Sequence, residues 1–380
     1  GRPEDFLQLK GLGVDVRGKI ALARYGKSWR GIKVKMAQEY GAVGCLIYSD
    51  PADDGYVRGE VYPKGRYRPP GGVQRGSVLD MPIQTGDPLS PGFASEPGNA
   101  ANRLPIASSN VLMKIPALPI SYEDATPFLK SLDGVEAPAS WQGGLPFKYH
   151  LGSGGAVAHL KVDFDFSNRP VHNVIARLAG KTKPDEWVIY GNHHDAWVNG
   201  AADPLSGASA VLETARSFGE LARTGWRPRR TLIFALWDAE EFGIIGSTEW
   251  VEKHAAELER KAVVYMNSDT TGAGPFDAGG SPSLDTFTRE LLRDFNDPRT
   301  EKPLLAKDFE LGTLGAGSDF VPFTHHIGVP SLSYGFETDM SGVYHSVYDS
   351  LRWYTKFGDP DFVYLRLFTQ MMATALARWA

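Results

Sequence analysis

The part of this chain after residue 166 alternates apolar strands with amphipathic helices, and this alternation constrains the fold more than any other feature. One strand is predicted at Glu186–Tyr190, and the next, Arg230–Trp237, is almost continuously apolar. Helices are predicted at Ser206–Arg223 and Ser247–Arg260, before a further strand at Ala262–Met266. Continuously apolar strands are typical of parallel sheets that helices cover on both faces. We therefore predict an α/β fold with a doubly wound sheet.

The first part of the chain has a different texture. Its short apolar runs are broken by glycine and proline, and an irregular stretch extends from Asp50 to about Pro105. Irregular stretches of this length are uncommon in compact domains and are usually functional where they occur. Strands are predicted at Lys19–Tyr25, Val43–Ser49 and Ser109–Pro116, with helices at Lys33–Tyr40 and Ser121–Leu132. Because 380 residues suit two domains better than one, we predict a small mixed α/β domain at 1–165 and a larger domain at 166–380.

Charge and hydrophobicity exclude several classes of protein. The formal net charge of -5 is mild, and no basic stripe suggests a nucleic-acid partner. No run of about 18 apolar residues occurs, so we predict no membrane-spanning segment in this chain. The single cysteine, Cys45, lies in an apolar run and cannot form an internal disulfide. We expect it to be a small core residue.

Polar side chains that can bind metals follow three strands of the second part. These strands are followed by Gly191–Asp195 and Asp203, by Asp238–Glu241, and by Asn267–Asp269. In doubly wound sheets, ligands bind outside the carboxyl ends of the strands. Carboxylates gathered at such an edge repel one another, and their burial is costly unless a cation neutralises them. Oxygen and imidazole ligands suit catalytic zinc, so the sequence predicts a metal site at this edge.

Two metal ions account for the number of candidate ligands better than one. A single catalytic zinc needs only three protein ligands and a water molecule. A pair of ions about 3.5–4 Å apart can hold a hydroxide between them, and one carboxylate then bridges the pair. Asp203 is the natural bridge, because its segment follows His193 directly. Of Glu240 and Glu241, one can bind metal while its neighbour faces the substrate as a general base.

Several long segments of the chain resemble the glutamate carboxypeptidase II family, and the resemblance covers nearly the whole chain. In the second part these segments are Gly191–Trp197, Asp203–Ala208, Trp237–Gly243 and Tyr344–Tyr348. The first part is similar to that family's protease-associated (apical) domain through Ala23–Lys27 and Arg30–Lys35. The resemblance implies a doubly wound mixed sheet of the di-zinc aminopeptidase and carboxypeptidase type, with an inserted protease-associated domain.

The resemblance also implies roles for individual residues at the metal site. It makes His193, Asp203 and Asp269 the ligands of one zinc ion, and Glu241, His345 and the shared Asp203 the ligands of the other. Glu240 matches the family's general base, and Tyr344 matches the residue that stabilises the tetrahedral intermediate. Asp195 matches a carboxylate that orients the ring of His193, a support that metal-bound imidazoles generally require.

Outside the zinc site the resemblance implies a structural calcium ion and a substrate pocket. The expected calcium ligands are Ser90, Phe93, Glu249 and Glu252, and hard oxygen ligands of this kind suit calcium. Arg30 matches the arginine that binds the free carboxylate of the released residue, and Ser77 and Ser318 occupy the positions of substrate-binding asparagines. The family's arginine cluster for an acidic penultimate residue has no counterpart in Pro330–Tyr334, so a strict preference for acidic peptides is not expected.

Three functions follow from these patterns. The first is a zinc exopeptidase that uses a metal-bridged hydroxide to release a carboxyl-terminal residue such as glutamate from a peptide substrate. The second is a zinc aminopeptidase on the same scaffold, and Arg30 discriminates between the two because a guanidinium pairs with a carboxylate and repels an ammonium. The third is a non-catalytic module like the transferrin receptor, which the complete set of zinc ligands and Glu240 disfavours.

The resemblance carries three further expectations about the whole protein. The family has a carboxyl-terminal helical dimerisation domain, which we expect to lie outside this chain. A homodimer would then form through a region that is missing here. By resemblance alone, we also expect an extracytoplasmic location, as a secreted, periplasmic or membrane-anchored ectodomain.

Overall fold

The computed structural model of the chain describes residues 1–153 and 155–380. Its α-helices are α1 (Pro3–Gly11), α2 (Arg30–Glu39), α3 (Pro51–Asp54), α4 (Tyr122–Lys130), α5 (Leu205–Arg223), α6 (Ile245–Lys261), α7 (Asp285–Leu292), α8 (Leu351–Trp353) and α9 (Val363–Trp379). Its strands are β1 (Ile20–Arg24), β2 (Gly44–Tyr48), β3 (Ala117–Ile120), β4 (Val174–Leu178), β5 (Lys183–His193), β6 (Arg230–Trp237), β7 (Ala262–Asn267), β8 (Phe276–Gly280) and β9 (Ser331–Phe336). No helix in the described residues is long and apolar enough to cross a membrane.

The first part of the chain folds around a small parallel sheet with the strand order β1-β2-β3. All of β2 is buried, and Cys45 lies in its core as expected. The predicted strand at Ser109–Pro116 is wrong, because the third strand lies at Ala117–Ile120. The Ser109 hydroxyl accepts hydrogen bonds from the amides of Val111 and Leu112, and this local bonding turns the backbone away from a ladder.

The irregular stretch after α3 packs against the larger domain and ties the two parts together. Arg68 is fully buried within it and donates both to Asp54 Oδ2 (2.8 Å) and to the carbonyl of Ser341 (2.7 Å). Further along, the amide of Gly86 donates to the carbonyl of Gly243 at 2.8 Å. The stretch therefore forms one wall of the region where the strands of the large sheet end.

The larger domain is built on a six-stranded mixed sheet with the order β4-β6-β5-β7-β9-β8. The four central strands are parallel, and the edge strands β4 and β8 are antiparallel to their neighbours. The register places His193 beside Trp237 and Gly191 beside Asn267, so β5, β6 and β7 end at the same edge. The predicted doubly wound mixed sheet is confirmed.

Alternate residues of the central strands contact helices on opposite faces of the sheet. Val188 and Tyr190 pack with α5 and α9 in one core, whereas Trp187 and Ile189 pack with α6 in another. Because neighbouring side chains of a strand point to opposite faces, a strand that is covered twice must be apolar throughout. Residues 155–173 connect the two parts without a helix or strand, and the boundary near residue 165 stays a prediction.

Candidate metal centre

The segments at the ends of β5, β6, β7 and β9 present the predicted ligands to one small cavity. His193 is the last residue of β5, and Asp269 lies two residues beyond β7. Glu240 and Glu241 lie in the turn between β6 and α6, where Ala239 and Gly243 have left-handed backbone angles (φ 56° and 128°). Left-handed geometry at a non-glycine residue costs free energy and is concentrated at functional sites.

Asp203 lies between the two histidines, with one carboxylate oxygen facing each ring. Its Oδ1 is 3.4 Å from His193 Nε2, and its Oδ2 is 3.2 Å from His345 Nε2. Asp269 Oδ1 lies 3.1 Å from His193 Nε2, and Glu241 Oε2 lies 3.2 Å from His345 Nε2. The side chains form two groups of three, joined by Asp203, and within each group the ligand atoms are within 4.8 Å of one another.

The charges and hydrogen bonds of this cluster fit a bound cation. Glu241 is buried, and its Oε1 has no hydrogen-bond partner among the described residues. Burial, reinforced by the charge of Asp203, raises the pKa of Glu241 to about 9. Burial likewise raises the pKa of Glu240 well above its usual range. Buried carboxylates that cannot ionise together require either protons or a positive ion, and imidazole with carboxylate is a donor set that suits zinc.

Groups outside the two sets hold the imidazole rings in place. His193 Nδ1 is 3.0 Å from the carbonyl oxygen of Asp195, and His345 Nδ1 is 3.0 Å from that of Arg75. Both Nε2 atoms are therefore directed at the carboxylates. The Asp195 carboxylate also accepts from the amides of Glu240 (2.9 Å) and Glu241 (3.2 Å), so it fixes the turn that carries both glutamates.

Two buried residues that support the ligand loops were not predicted from the sequence. The side-chain amide of Asn192 donates to the carbonyls of Pro204 (3.1 Å) and Asp269 (3.0 Å), and thus joins two ligand loops. The Asp349 carboxylate accepts from the amides of Ala202 (2.8 Å) and Asp203 (3.0 Å). Asn192 adjoins the predicted ligand His193, and this adjacency could have indicated its supporting role. Asp349 follows the Tyr344–Tyr348 motif, and nothing in its local sequence marks this role.

The cavity over the cluster has a volume of about 40 Å³ and includes a positive group. Arg30, Trp29 and Tyr344 line it together with the ligands. The guanidinium of Arg30 lies over the Trp29 ring at 4.2 Å, and its Nε donates to the carbonyl of Ser77 at 2.9 Å. Its two Nη groups make no hydrogen bond within the described chain and remain available to a ligand.

Ser77 and Ser318 do not line this cavity. The Ser77 hydroxyl donates to the carbonyl of Glu241 at 2.6 Å, and the Ser318 hydroxyl accepts from Asn267 Nδ2 at 3.0 Å. Both hydroxyls thus serve hydrogen bonds that are internal to the protein. A direct contact of either serine with substrate stays a prediction.

The residues predicted to bind calcium do come together, at the contact between the irregular stretch and α6. Glu249 accepts from the amides of Asp87 (2.7 Å) and Ser95 (2.5 Å), and Glu252 accepts from the amide of Gly92 at 3.0 Å. The Ser90 hydroxyl and Glu252 Oε2 are buried without a partner in the described residues. Burial, with the charge of Glu249, raises the pKa of Glu252 to about 8. The amide of Phe93 donates to the carbonyl of Ser90 at 3.3 Å, within the same turn.

Comparison with known families assigns both parts of the chain. Residues 173–356 match the family model of peptidase family M28, and residues 1–81 match that of the PA domain. The chain thus combines a PA domain with a peptidase domain of family M28.

Two relatives with curated names match most of the chain. "Aminopeptidase NAALADL1" of Mus musculus is 37% identical over 399 residues, covering 95% of this chain and 53% of the mouse protein. "Probable glutamate carboxypeptidase" of Arthroderma benhamiae is 42% identical over 387 residues, covering 95% of this chain and 52% of the fungal protein. The chain therefore spans about half the length of the curated relatives it matches.

A solved structure supports the fold. BSAP, a zinc aminopeptidase from Bacillus subtilis, superposes with a TM-score of 0.54 at 18% sequence identity, covering 96% of this chain and 70% of that one. At this identity the similarity concerns the arrangement of the backbone.

Proposed function

We propose that this chain is the catalytic part of a zinc-dependent exopeptidase that releases a carboxyl-terminal residue from a peptide. The proposal depends on the position of the Asp203 carboxylate. One of its oxygens faces His193 and the other faces His345, so Asp203 joins two sets of three ligands. One zinc ion would be held by His193, Asp203 and Asp269, and the other by Glu241, His345 and Asp203. Zinc at such a site polarises the carbonyl of the substrate and makes water a nucleophile near neutral pH.

Glu240 is positioned to act as the general base. It lines the cavity, its amide is fixed by Asp195, and its Oε2 is 4.0 Å from His193 Nε2. Its carboxylate makes no hydrogen bond to another described residue, so it is free to take a proton from water and pass it to the leaving amine. Burial raises the pKa of Glu240, so its carboxylate is a stronger base than an exposed one, and the acid formed in the first step can then donate to the leaving amine.

Tyr344 is positioned to stabilise the negative charge that develops on the substrate carbonyl oxygen. Its ring stacks on His345 with centroids 3.7 Å apart, and it lines the cavity. Burial raises the pKa of its hydroxyl, so the group stays protonated and remains a hydrogen-bond donor throughout the reaction.

Arg30 favours a carboxypeptidase over an aminopeptidase. Arg30 lines the cavity, and a guanidinium there would pair with the terminal carboxylate of a substrate in a bidentate manner and repel an amino group. The relatives carry names of both activities, so direct measurement must decide. Acetylated dipeptides ending in glutamate test release from the carboxyl end, and unblocked amino-acid amides test release from the amino end.

The Glu240→Gln variant tests the assignment of the site. We expect the zinc-loaded variant to retain two zinc ions per chain while its kcat falls by about 10²–10⁴-fold, the usual contribution of a general base. Glu259→Gln, at an exposed position of α6 that forms no ion pair with another described residue, is the matched control and should leave both quantities unchanged. Normal turnover of Glu240→Gln would remove the general-base role. Fewer than two zinc ions in the unmodified chain would remove the paired site.

A calcium ion beside α6 forms a separate part of the proposal. The unpartnered Ser90 hydroxyl and Glu252 Oε2, together with the raised pKa of Glu252, support a hard cation at this position. Such an ion would join the irregular stretch to the peptidase domain. Dimerisation and an extracytoplasmic location stay predictions.

A further inference from the structure

An acidic groove of about 860 Å³ adjoins the metal centre. It lies between the PA domain and the segment that follows β9, and Tyr344 lines both this groove and the metal cavity. Four carboxylates line it, and the described lining residues include no lysine, arginine or histidine. These carboxylates belong to Asp53, Asp54, Glu337 and Asp339. A peptide that extends from the metal centre past Tyr344 therefore enters a negatively charged channel.

The PA-domain side of the groove contains the buried side chains of Ser49 and Asp54. Ser49 is 2% exposed and Asp54 is 4% exposed. One oxygen of Asp54 accepts from Arg68 Nε at 2.8 Å. The protein itself thus pairs Asp54, and the free negative charge of the groove comes from its other side.

The opposite rim supplies the negative charge that is not neutralised. Asp53 is paired with Arg24, and Asp54 with Arg68. Glu337 and Asp339 are exposed, and neither forms an ion pair within the described residues. A cleft lined by charge of one sign concentrates the opposite charge within it.

The metal cavity and the groove thus meet at Tyr344, with a positive group in the cavity and acidic groups in the groove. Arg30 is in the metal cavity, and the acidic groove begins at Tyr344. A substrate bound by its terminal carboxylate at Arg30 would direct its upstream residues into the groove. We propose that the groove binds the cationic side chain of a lysine or arginine that lies upstream of the scissile bond. This inference rests on the proposed exopeptidase function and specifies its substrate class.

Acetylated dipeptides with a common terminal glutamate provide the test. We expect kcat/KM for acetyl-Lys-Glu to exceed that for acetyl-Glu-Glu by at least about tenfold, with acetyl-Ala-Glu between them, because unlike charges attract and like charges repel in the groove. The ratio of the lysine to the glutamate peptide should fall about fivefold in the double variant Glu337→Gln/Asp339→Asn. The double variant Asp308→Asn/Glu310→Gln removes two exposed acids outside the groove and should preserve the ratio.

The possible outcomes separate this inference from the proposed function. Hydrolysis of all three peptides at equal rates would overturn the acidic-groove proposal while the peptidase assignment stands. Hydrolysis of none would overturn the proposed activity. In that case, calorimetric binding of the lysine and alanine peptides to the zinc-loaded Glu240→Gln chain still tests the groove. Tighter binding of the lysine peptide, lost in Glu337→Gln/Asp339→Asn, would support it, and equal dissociation constants would refute it.

Discussion

Replacing Asn192 by alanine tests how the two halves of the metal centre are held together. Asn192 is fully buried at the end of β5, and its amide donates to the carbonyls of Pro204 and Asp269 at 3.1 and 3.0 Å. Asn192→Ala removes two hydrogen bonds, and each buried carbonyl that loses its donor costs about 1–3 kcal/mol. We expect the peptidase domain to lose about 3 kcal/mol of its free energy of unfolding.

Two measurements separate the loss of stability from the loss of zinc affinity. Guanidinium chloride unfolding of the chelator-treated chain gives the stability without zinc, and competition with a chelating dye gives the zinc affinity. We expect the affinity to fall about 10–100-fold, as for other residues that support metal ligands. Asn110→Ala, at an exposed position whose side chain makes no hydrogen bond in the described part of the chain, should change stability by less than about 0.5 kcal/mol. A loss below about 1 kcal/mol in Asn192→Ala, with unchanged zinc affinity, would show that the two loops do not depend on this bridge.

Three further predictions concern the substrate site, the calcium site and the packing of α5. Arg30→Ala should raise KM for peptides with a free carboxyl terminus by about 30-fold, because it removes one charged hydrogen-bonded pair. KM for amidated peptides should not change, and an equal rise for both kinds of peptide would contradict carboxylate binding. Calcium should raise the melting temperature of the unmodified chain but not that of Glu252→Gln, and no shift in either would remove the calcium site. In Gly207→Ala the new Cβ would lie 1.8 Å from the carbonyl oxygen of Ser268, so we expect unfolding or loss of zinc. Gly219→Ala in the same helix meets nothing within 4 Å and should stabilise the chain by about 0.5–1 kcal/mol; similar behaviour of the two variants would contradict the close packing.

The strands that carry the site could be predicted because their signal is local. Leu232–Trp237 is apolar throughout because both faces of the strand are covered. The polar residues that follow, up to Glu240, mark the point where the strand ends. The edge strands lacked such a signal. β8 contains Gly279 and Gly280, which argue against a strand, yet a Cβ at Gly280 would lie 2.6 Å from Leu332 Cδ2. Gly280 therefore fits the close packing of β8 against β9, and the local sequence gives no information about that packing.

The sequence by itself determined which residue types stand at the strand ends and in which order, because strand periodicity and the loss of apolar character depend only on near neighbours. It also determined the class of site, since imidazoles and carboxylates in that number require a cation when they are brought together. Only the tertiary structure decided which oxygen of Asp203 faces which histidine, and that Asn192 and Asp349 hold the ligand loops. It also decided that an acidic groove adjoins Tyr344. These features join segments far apart in the chain, and their distances are set by how the sheet, α5 and the PA domain pack.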